Sequence, residues 1–417
     1  MVLSFVWLMF LPAGVPARAP LTADEPPAGD ASAWTRHMVA AVRLHGEGRF
    51  EDARRNYLLA LQGAEKFGPR DGRLAQSLNN LAAVCYDLGR YAEAEPLYLR
   101  ALEIWRAAAV PDVPNLIRIL SNLATLYGKQ GRYAAAEPLY QQALALAEKA
   151  PESAVSGVAS ALNNLAELYR RQRHYAQAEP LYHRALALWE KQAGVESAQA
   201  ATCLNNLAVL YAAQGRYAQA EALYLRVLKI ADKTLGPWHP RTATALQNLA
   251  ELYRTRGLPA QAGPLLRRAL AIQEQAFGPE SREAAVLLDS LAAISLAQGL
   301  TSEAESFYAR SLDIWRKSLG PEQEETAAHA CRLAGVYASD GRFTRAEPLY
   351  RECLALLEKL HGPEDPILAT SLRGYASLLR KTRRKSEAAR LESRARALLA
   401  AHPGSGEPGH SRIHTIR

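Results

Sequence analysis

The chain has 417 residues, 49% of them hydrophobic and 7% aromatic. That is length enough for two or three ordinary domains, and the Ala- and Leu-rich composition points to one helical class throughout. The formal net charge is +8, but residues 380–417 hold ten basic and three acidic side chains, so the rest is nearly neutral and a generally basic nucleic-acid surface is excluded.

The chain opens on "MVLSFVWLMFLPAGVPARAP", an apolar run too short to span a bilayer comfortably, followed by the small-x-small pattern Ala17-Arg18-Ala19. Residues 1–19 therefore read as a signal peptide or as a hydrophobic N-terminus, since no Lys or Arg precedes the run and Pro20 follows the cut. Export, to the periplasm or beyond, is the expectation, with a cytoplasmic location as the alternative. Residues 20–35 are rich in Pro, Ala and acid and read as a disordered spacer. No other segment has the length and apolarity to cross a membrane.

From residue 36 to 400 the sequence repeats. Leu78, Leu120, Leu162, Leu204, Leu246 and Leu288 stand 42 residues apart, and the register reaches Leu372. A period of this length predicts a solenoid in which each unit buries its face against its neighbours. Within one unit, Leu204, Leu207, Ala208 and Tyr211 form a single helical stripe. Gly215 in "QGRY" supplies a helix end, and Ala220, Leu223, Tyr224, Val227 and Leu228 mark a second helix. Ala94, Ala136, Ala178, Ala220, Ala262, Ala304, Ala346 and Ala388 hold one column where two helices approach closely. Pro96, Pro138, Pro180, Pro264 and Pro348 share another, expected near the first turn of the second helix. Trp105, Trp189 and Trp315 share a third and are expected to interlock successive units.

These motifs resemble the tetratricopeptide repeat (TPR). The 42-residue period, with "LGPWHP" at 235–240 and related linkers "FGPES", "LGPEQ" and "HGPEDP", is similar to the kinesin light chain type. The resemblance implies an all-α, right-handed α-solenoid of about nine helix-turn-helix units, with the first helices lining a concave groove. The first unit is one residue out of step, since Ala53 and Ala94 are 41 apart. The last unit carries Arg, Lys and Glu where tyrosines stood, so the basic run from Lys381 to Lys385 reads first as a polar end cap and second as a patch for acidic partners. Residues 401–417 form a Gly/Pro-containing tail expected to be disordered.

No Walker A loop, HExxH, GxSxG or dinucleotide fingerprint occurs, and the ten histidines scatter over different columns. The expectation is a non-enzyme with no catalytic residues, cofactor or metal site. The four cysteines, Cys85, Cys203, Cys331 and Cys353, show neither a CxxC pair nor a zinc-ligand spacing and read as small apolar fillers, silent about redox compartment.

Binding is the remaining function class. Opposite the apolar stripe of a first helix lie Gln76, Asn80, Ala83 and Asp87. One of these columns runs Asn80, Asn122, Asn164, Asn206, Asn248 and then ends, with Ser290, Arg332 and Gly374 in the later units. A row of carboxamides can pair with the backbone of an extended peptide, and in TPR domains Asn at this point resembles a peptide contact. Alternatively each Asn bonds a neighbouring helix and fixes the stacking of repeats. The end of the column while stacking continues favours peptide contact. Arg118, Asn122 and Lys129 fall within about 40° on one helical wheel, and Asn164 with Arg171 repeats the theme. Amides for the backbone and cations for carboxylates predict an acidic peptide in the groove, against an ordinary solvated surface.

The expected function is a protein–protein interaction scaffold or adaptor. Its rivals are a regulatory subunit of a separately encoded enzyme and a self-assembling structural protein. No nucleic acid and no integral membrane partner is implied.

Overall fold

Every described helix pair closes through one kind of turn, set by a single residue. In "GRY" at 89–91, Gly89 takes φ +84°, a conformation that a side chain makes costly. The amide of Arg90 then reaches back to the Cys85 carbonyl at 2.8 Å, the bond that closes a helix C-terminus. The same bond joins Arg132 to Tyr127 and Arg342 to Tyr337, each at 2.8 Å. Arg173 and Arg383 occupy the glycine position at φ +63° and +64°. Replacing Arg173 with glycine is therefore expected to stabilise the protein by about 0.5–1 kcal/mol in urea titration; a loss of stability would show that the Arg173 side chain outweighs its backbone.

The computed structural model describes residues 28–108, 112–149 and 155–402, and they divide into two compact units between Gly215 and Arg216. The N-terminal unit pairs α1 (Ala28–Gly46) with α2 (Phe50–Glu65), α3 (Gly72–Asp87) with α4 (Tyr91–Arg106), α5 (Val113–Lys129) with α6 (Tyr133–Lys149) and α7 (Val155–Arg171) with α8 (Tyr175–Ala193), and ends on α9 (Ala198–Ala213). The C-terminal unit begins with α10 (Tyr217–Thr234). It then pairs α11 (Pro240–Thr255) with α12 (Pro259–Phe277), α13 (Arg282–Ala297) with α14 (Thr301–Leu319), α15 (Glu324–Ser339) with α16 (Phe343–His361) and α17 (Leu368–Lys381) with α18 (Lys385–Ala401). The described residues hold eighteen helices, with four helix-turn-helix pairs in each unit, and no strand. The architecture is an all-α solenoid.

The columns read from the sequence form the seams. All eight alanines from Ala94 to Ala388 are fully buried, so a larger side chain there would overpack a closed contact, typically at 1–3 kcal/mol. The repeating leucines from Leu78 to Leu372 are buried as well. Trp189 and Trp315 are buried, and Trp105 lies against Gly72, where a Cβ would come within 2.9 Å of its ring. The tryptophans pack the fold. The prolines sit in the second turn rather than the first: Pro96 is the sixth residue of α4, and the helix runs through it.

Two expectations are corrected. The spacer expected over 20–35 is helical from Ala28 onward. Trp34 anchors that helix by donating from Nε1 to Ser77 Oγ at 2.9 Å and by packing edge-on against Phe67. Cys331 and Cys353 are not apolar fillers but a disulfide, with Cα atoms 5.7 Å apart; Cys85 and Cys203 are free and buried. The bridge joins α15 to α16 across 22 residues, and a loop of that size is worth about 3 kcal/mol through the unfolded chain. Changing both cysteines to serine is expected to lower stability by about that amount; an unaltered melting temperature under oxidising conditions would mean that the bridge does not form in solution.

At the C-terminal end, two residues of the basic run, Lys381 and Arg384, and the preceding Arg380 bond within the fold. Arg380 pairs with Glu392 at 2.6 Å, Arg384 with Glu347 at 2.7 Å, and Lys381 Nζ donates to the Ala338 carbonyl at 3.3 Å. Residues 1–19 and 403–417, read as the hydrophobic N-terminus and most of the tail, lie outside the described residues. No helix of the described residues is long and apolar enough to cross a membrane.

Candidate functional site

In the N-terminal unit the first helices approach one another, α3 with α5, α5 with α7 and α7 with α9, more closely than the second helices do. A row drawn together in this way lies on the inner side of its stack, and it carries the polar columns.

Two of the five asparagines are tied into rungs between repeats. Asn122 Nδ2 donates to Asn79 Oδ1 at 3.1 Å, and Asn206 Nδ2 donates to Asn163 Oδ1 at 3.0 Å. Each rung spans 43 residues, joining the first Asn of one "LNN" or its equivalent to the second position of the next. In the C-terminal unit, Arg332 Nη1 donates to Asp289 Oδ2 at 3.4 Å, again 43 residues away. The Asn column ends at 248, but the rung continues in ionic form, so the end of the column does not separate peptide contact from stacking. Asn80 accepts from Asn79 Nδ2 at 3.1 Å, and Asn248 is buried and partnered. Asn164 differs, making no side-chain hydrogen bond among the described residues.

Asn164 lines a shallow hollow of about 350 Å³, open to solvent, whose wall includes Tyr86, Thr125, Lys129, Glu167 and Arg171. A second hollow of about 250 Å³ shares Tyr86 and Thr125 with it and adds Ala83, Asp87 and Asn122. Thr125 Oγ1 and Tyr140 Oη, 2.7 Å apart, close the floor, and burial pushes the Tyr140 hydroxyl up to about 12.

The charges come from α5 and α7. Glu167 is buried, its side chain 8% exposed. It accepts from Arg170 Nη2 at 2.6 Å, Arg171 Nε at 2.8 Å and Tyr182 Oη at 3.0 Å. Burial pushes its carboxyl up, but the two guanidiniums outweigh burial and hold it below the usual range. Lys129 has no ion pair among the described residues. Burial, and then the neighbouring Arg171 cation, push its ammonium down to about 8 against the pull of Glu167.

Lys129 and Arg171 thus meet in one hollow, and Arg118 does not join them. It is eleven residues up α5 from Lys129, about 16 Å along the axis at 1.5 Å per residue, a distance that a helical wheel does not show. Arg118 lines neither hollow; Nη2 donates to Asn115 Oδ1 at 2.6 Å, and burial lowers its pKa. Glu167 went unrecognised because its column varies, and its only signal is a carboxylate three and four residues before two arginines. Among the described residues, no group of three or more His, Cys, Asp or Glu side chains could hold a metal ion.

The tetratricopeptide repeat model matches residues 73–149, 157–233, 204–275, 241–317, 282–359 and 325–401. No curated protein matches. Among solved structures the chain is similar to BtubC (BKLC) from P. vanneervenii, at 27% identity over 60% of this chain and 91% of that one, TM-score 0.43. It is similar to a Rap protein complexed with competence and sporulation factor, at 15% identity over 90% and 97%, TM-score 0.50. It is also similar to a signal transduction ATPase with a TPR sensor from Pyrococcus horikoshii, at 13% identity over 90% and 54%, TM-score 0.63. The last two likenesses are of fold alone. Repeats that share one turn, one alanine seam and one 42-residue step, matched by the family model over most of the chain, make this protein a member of the tetratricopeptide repeat family.

Proposed function

We propose that the protein is an interaction scaffold that seats an extended acidic peptide segment along the first helices of its N-terminal unit. The observation that carries this reading is the hollow at Lys129, Asn164 and Arg171. There a half-buried ammonium stands beside a second cation and a carboxamide, the ammonium without an ion pair and the carboxamide without a hydrogen bond among the described residues. Glu167 already answers Arg171, whereas Lys129, half-buried beside that guanidinium, makes no ion pair among the described residues, and a ligand carboxylate would answer it through a charge-assisted hydrogen bond. The carboxamide can meet a peptide C=O or N–H whatever the side chain.

The test is a random-decapeptide display screen on the full chain. Recovered peptides are then measured by fluorescence anisotropy beside analogues with Asp and Glu changed to Asn and Gln. Acidic peptides should bind at least tenfold tighter than the neutral analogues, with the difference shrinking in salt. Equal binding removes the acidic preference, and a screen that recovers no peptide removes the scaffold reading for this face.

Export is part of the same proposal. Disulfides persist in oxidising compartments, and the Cys331–Cys353 bridge supports that location. Thiol alkylation of the protein from fractionated cells should find these two cysteines blocked in the exported fraction; free thiols in both fractions would argue for the cytoplasm.

A further inference from the structure

We infer that Ser121 is a positioning residue: by interrupting the ladder of inter-repeat rungs, it frees the Asn164 carboxamide to serve as the backbone-reading contact of the groove. The inference rests on the peptide-scaffold reading above.

Each rung joins a residue on one first helix to the residue 43 positions later on the next, as Asn79 with Asn122 and Asn163 with Asn206 in the N-terminal unit. The same rule pairs position 121 with Asn164, but position 121 is serine. Its hydroxyl stands directly on Cβ, one atom short of where a carboxamide places its oxygen and nitrogen, and Asn164 makes no side-chain hydrogen bond among the described residues. The unanswered amide opens into the hollow that holds Lys129 and Arg171. Where the ladder is intact the partner amides are less available: Asn206 is buried at 8% exposure, and one of its amide hydrogens is already committed. The gap and the cations coincide at one repeat, so the reading carboxamide is Asn164 and not the whole asparagine row.

Restoring the rung should close the site without altering any residue that lines it. Ser121→Asn in the full chain is expected to weaken binding of a display-selected acidic decapeptide by roughly threefold to tenfold, the worth of a neutral hydrogen bond, with a melting temperature at or above wild type. Asn164→Ala should weaken it similarly. The two changes together should cost no more than either alone, because both remove one contact.

Additive losses in the double variant would overturn the inference, since Ser121 would then act other than through Asn164. So would wild-type affinity in Asn164→Ala, a result that decides the matter even if Ser121→Asn fails to fold. If the wild-type chain recovers no acidic peptide at all, the scaffold reading itself falls, which is a different outcome from binding that ignores both substitutions.

Discussion

Replacing Glu167 with alanine is expected to destabilise the N-terminal unit by about 3–5 kcal/mol, the usual cost of removing one partner from a buried charge cluster. Its carboxylate accepts hydrogen bonds from Arg170, Arg171 and Tyr182 between 2.6 and 3.0 Å, and the side chain is only 8% exposed. Arg170 and Arg171 are themselves 19% and 25% exposed, so removal of the acid leaves two cations partly desolvated with no counter-charge. Glutamine keeps the volume and some of the hydrogen bonds and should cost less, about 1–3 kcal/mol. Glu251, two repeats on, provides a matched control. It pairs with Arg254 at 2.6 Å but is 29% exposed, and its removal should cost about 1 kcal/mol or less. Urea titration of the three variants checks the ranking; equal costs for Glu167→Ala and Glu251→Ala would mean that burial is not what matters here.

The same cluster sets an acid limit. The folded pKa of Glu167 is depressed, so its stabilising contribution is fully present above the unfolded value of about 4.3. It is lost as pH falls through the lower folded value, where the native state must take up a proton it resists. Glu167→Gln should remove that part of the acid sensitivity and leave the rest of the pH profile unchanged.

The repeat architecture was legible in the sequence because a solenoid reuses its contacts. A leucine at most of the 42-residue steps, an alanine at each crossing and a residue of positive φ, glycine at all but two of the turns, are the same physical requirement met in successive units. The rungs were not legible for the same reason. Aligning repeats compares residues 42 apart, whereas the hydrogen bonds join neighbouring columns 43 apart. Ser121 is one substitution within its own column, and the gap it leaves in the ladder shows only between columns. Cys331 and Cys353 were missed because a disulfide between facing helices needs no short motif, only two columns that meet. Arg118 was grouped with Lys129 because a wheel keeps the angle between two residues and discards the rise. Each of these relations lies between columns, and a periodic reading treats columns one at a time.

Binding of an acidic peptide is expected to weaken as pH rises from 7 to 9, while the stability of the free protein increases over the upper part of the same range. Both follow from Lys129, whose ammonium is held down at about 8. At pH 7 it is about nine-tenths charged and at pH 9 about one-tenth, whereas peptide carboxylates stay ionised throughout. The fall between pH 7 and 9 should approach but not exceed about tenfold, the ratio of the charged fractions at the two pH values. A bound carboxylate raises the lysine pKa, so the midpoint in the binding curve should lie above that of the free protein.

Stability moves the other way because the folded pKa lies below the unfolded value of about 10.4. Between the two the unfolded chain holds the extra proton, and stability rises with pH. Lys129→Met, which removes the poorly solvated charge for good, should stabilise the N-terminal unit by about 1–2 kcal/mol after allowance for the part of the ammonium still in water, and it should lose the acidic peptide. Lys129→Arg keeps a cation at every pH and should flatten the binding profile. Anisotropy titrations at half-unit steps, paired with urea melts, test both halves. A binding profile for Lys129→Arg that still falls between pH 7 and 9 would assign the titration to another group, and a Lys129→Met protein less stable than wild type would show that the lysine is already satisfied without a partner. A side chain that costs stability when empty and gains affinity when filled is under-satisfied in the free protein, and that is the condition under which a groove in a repeating array can select its ligand by charge.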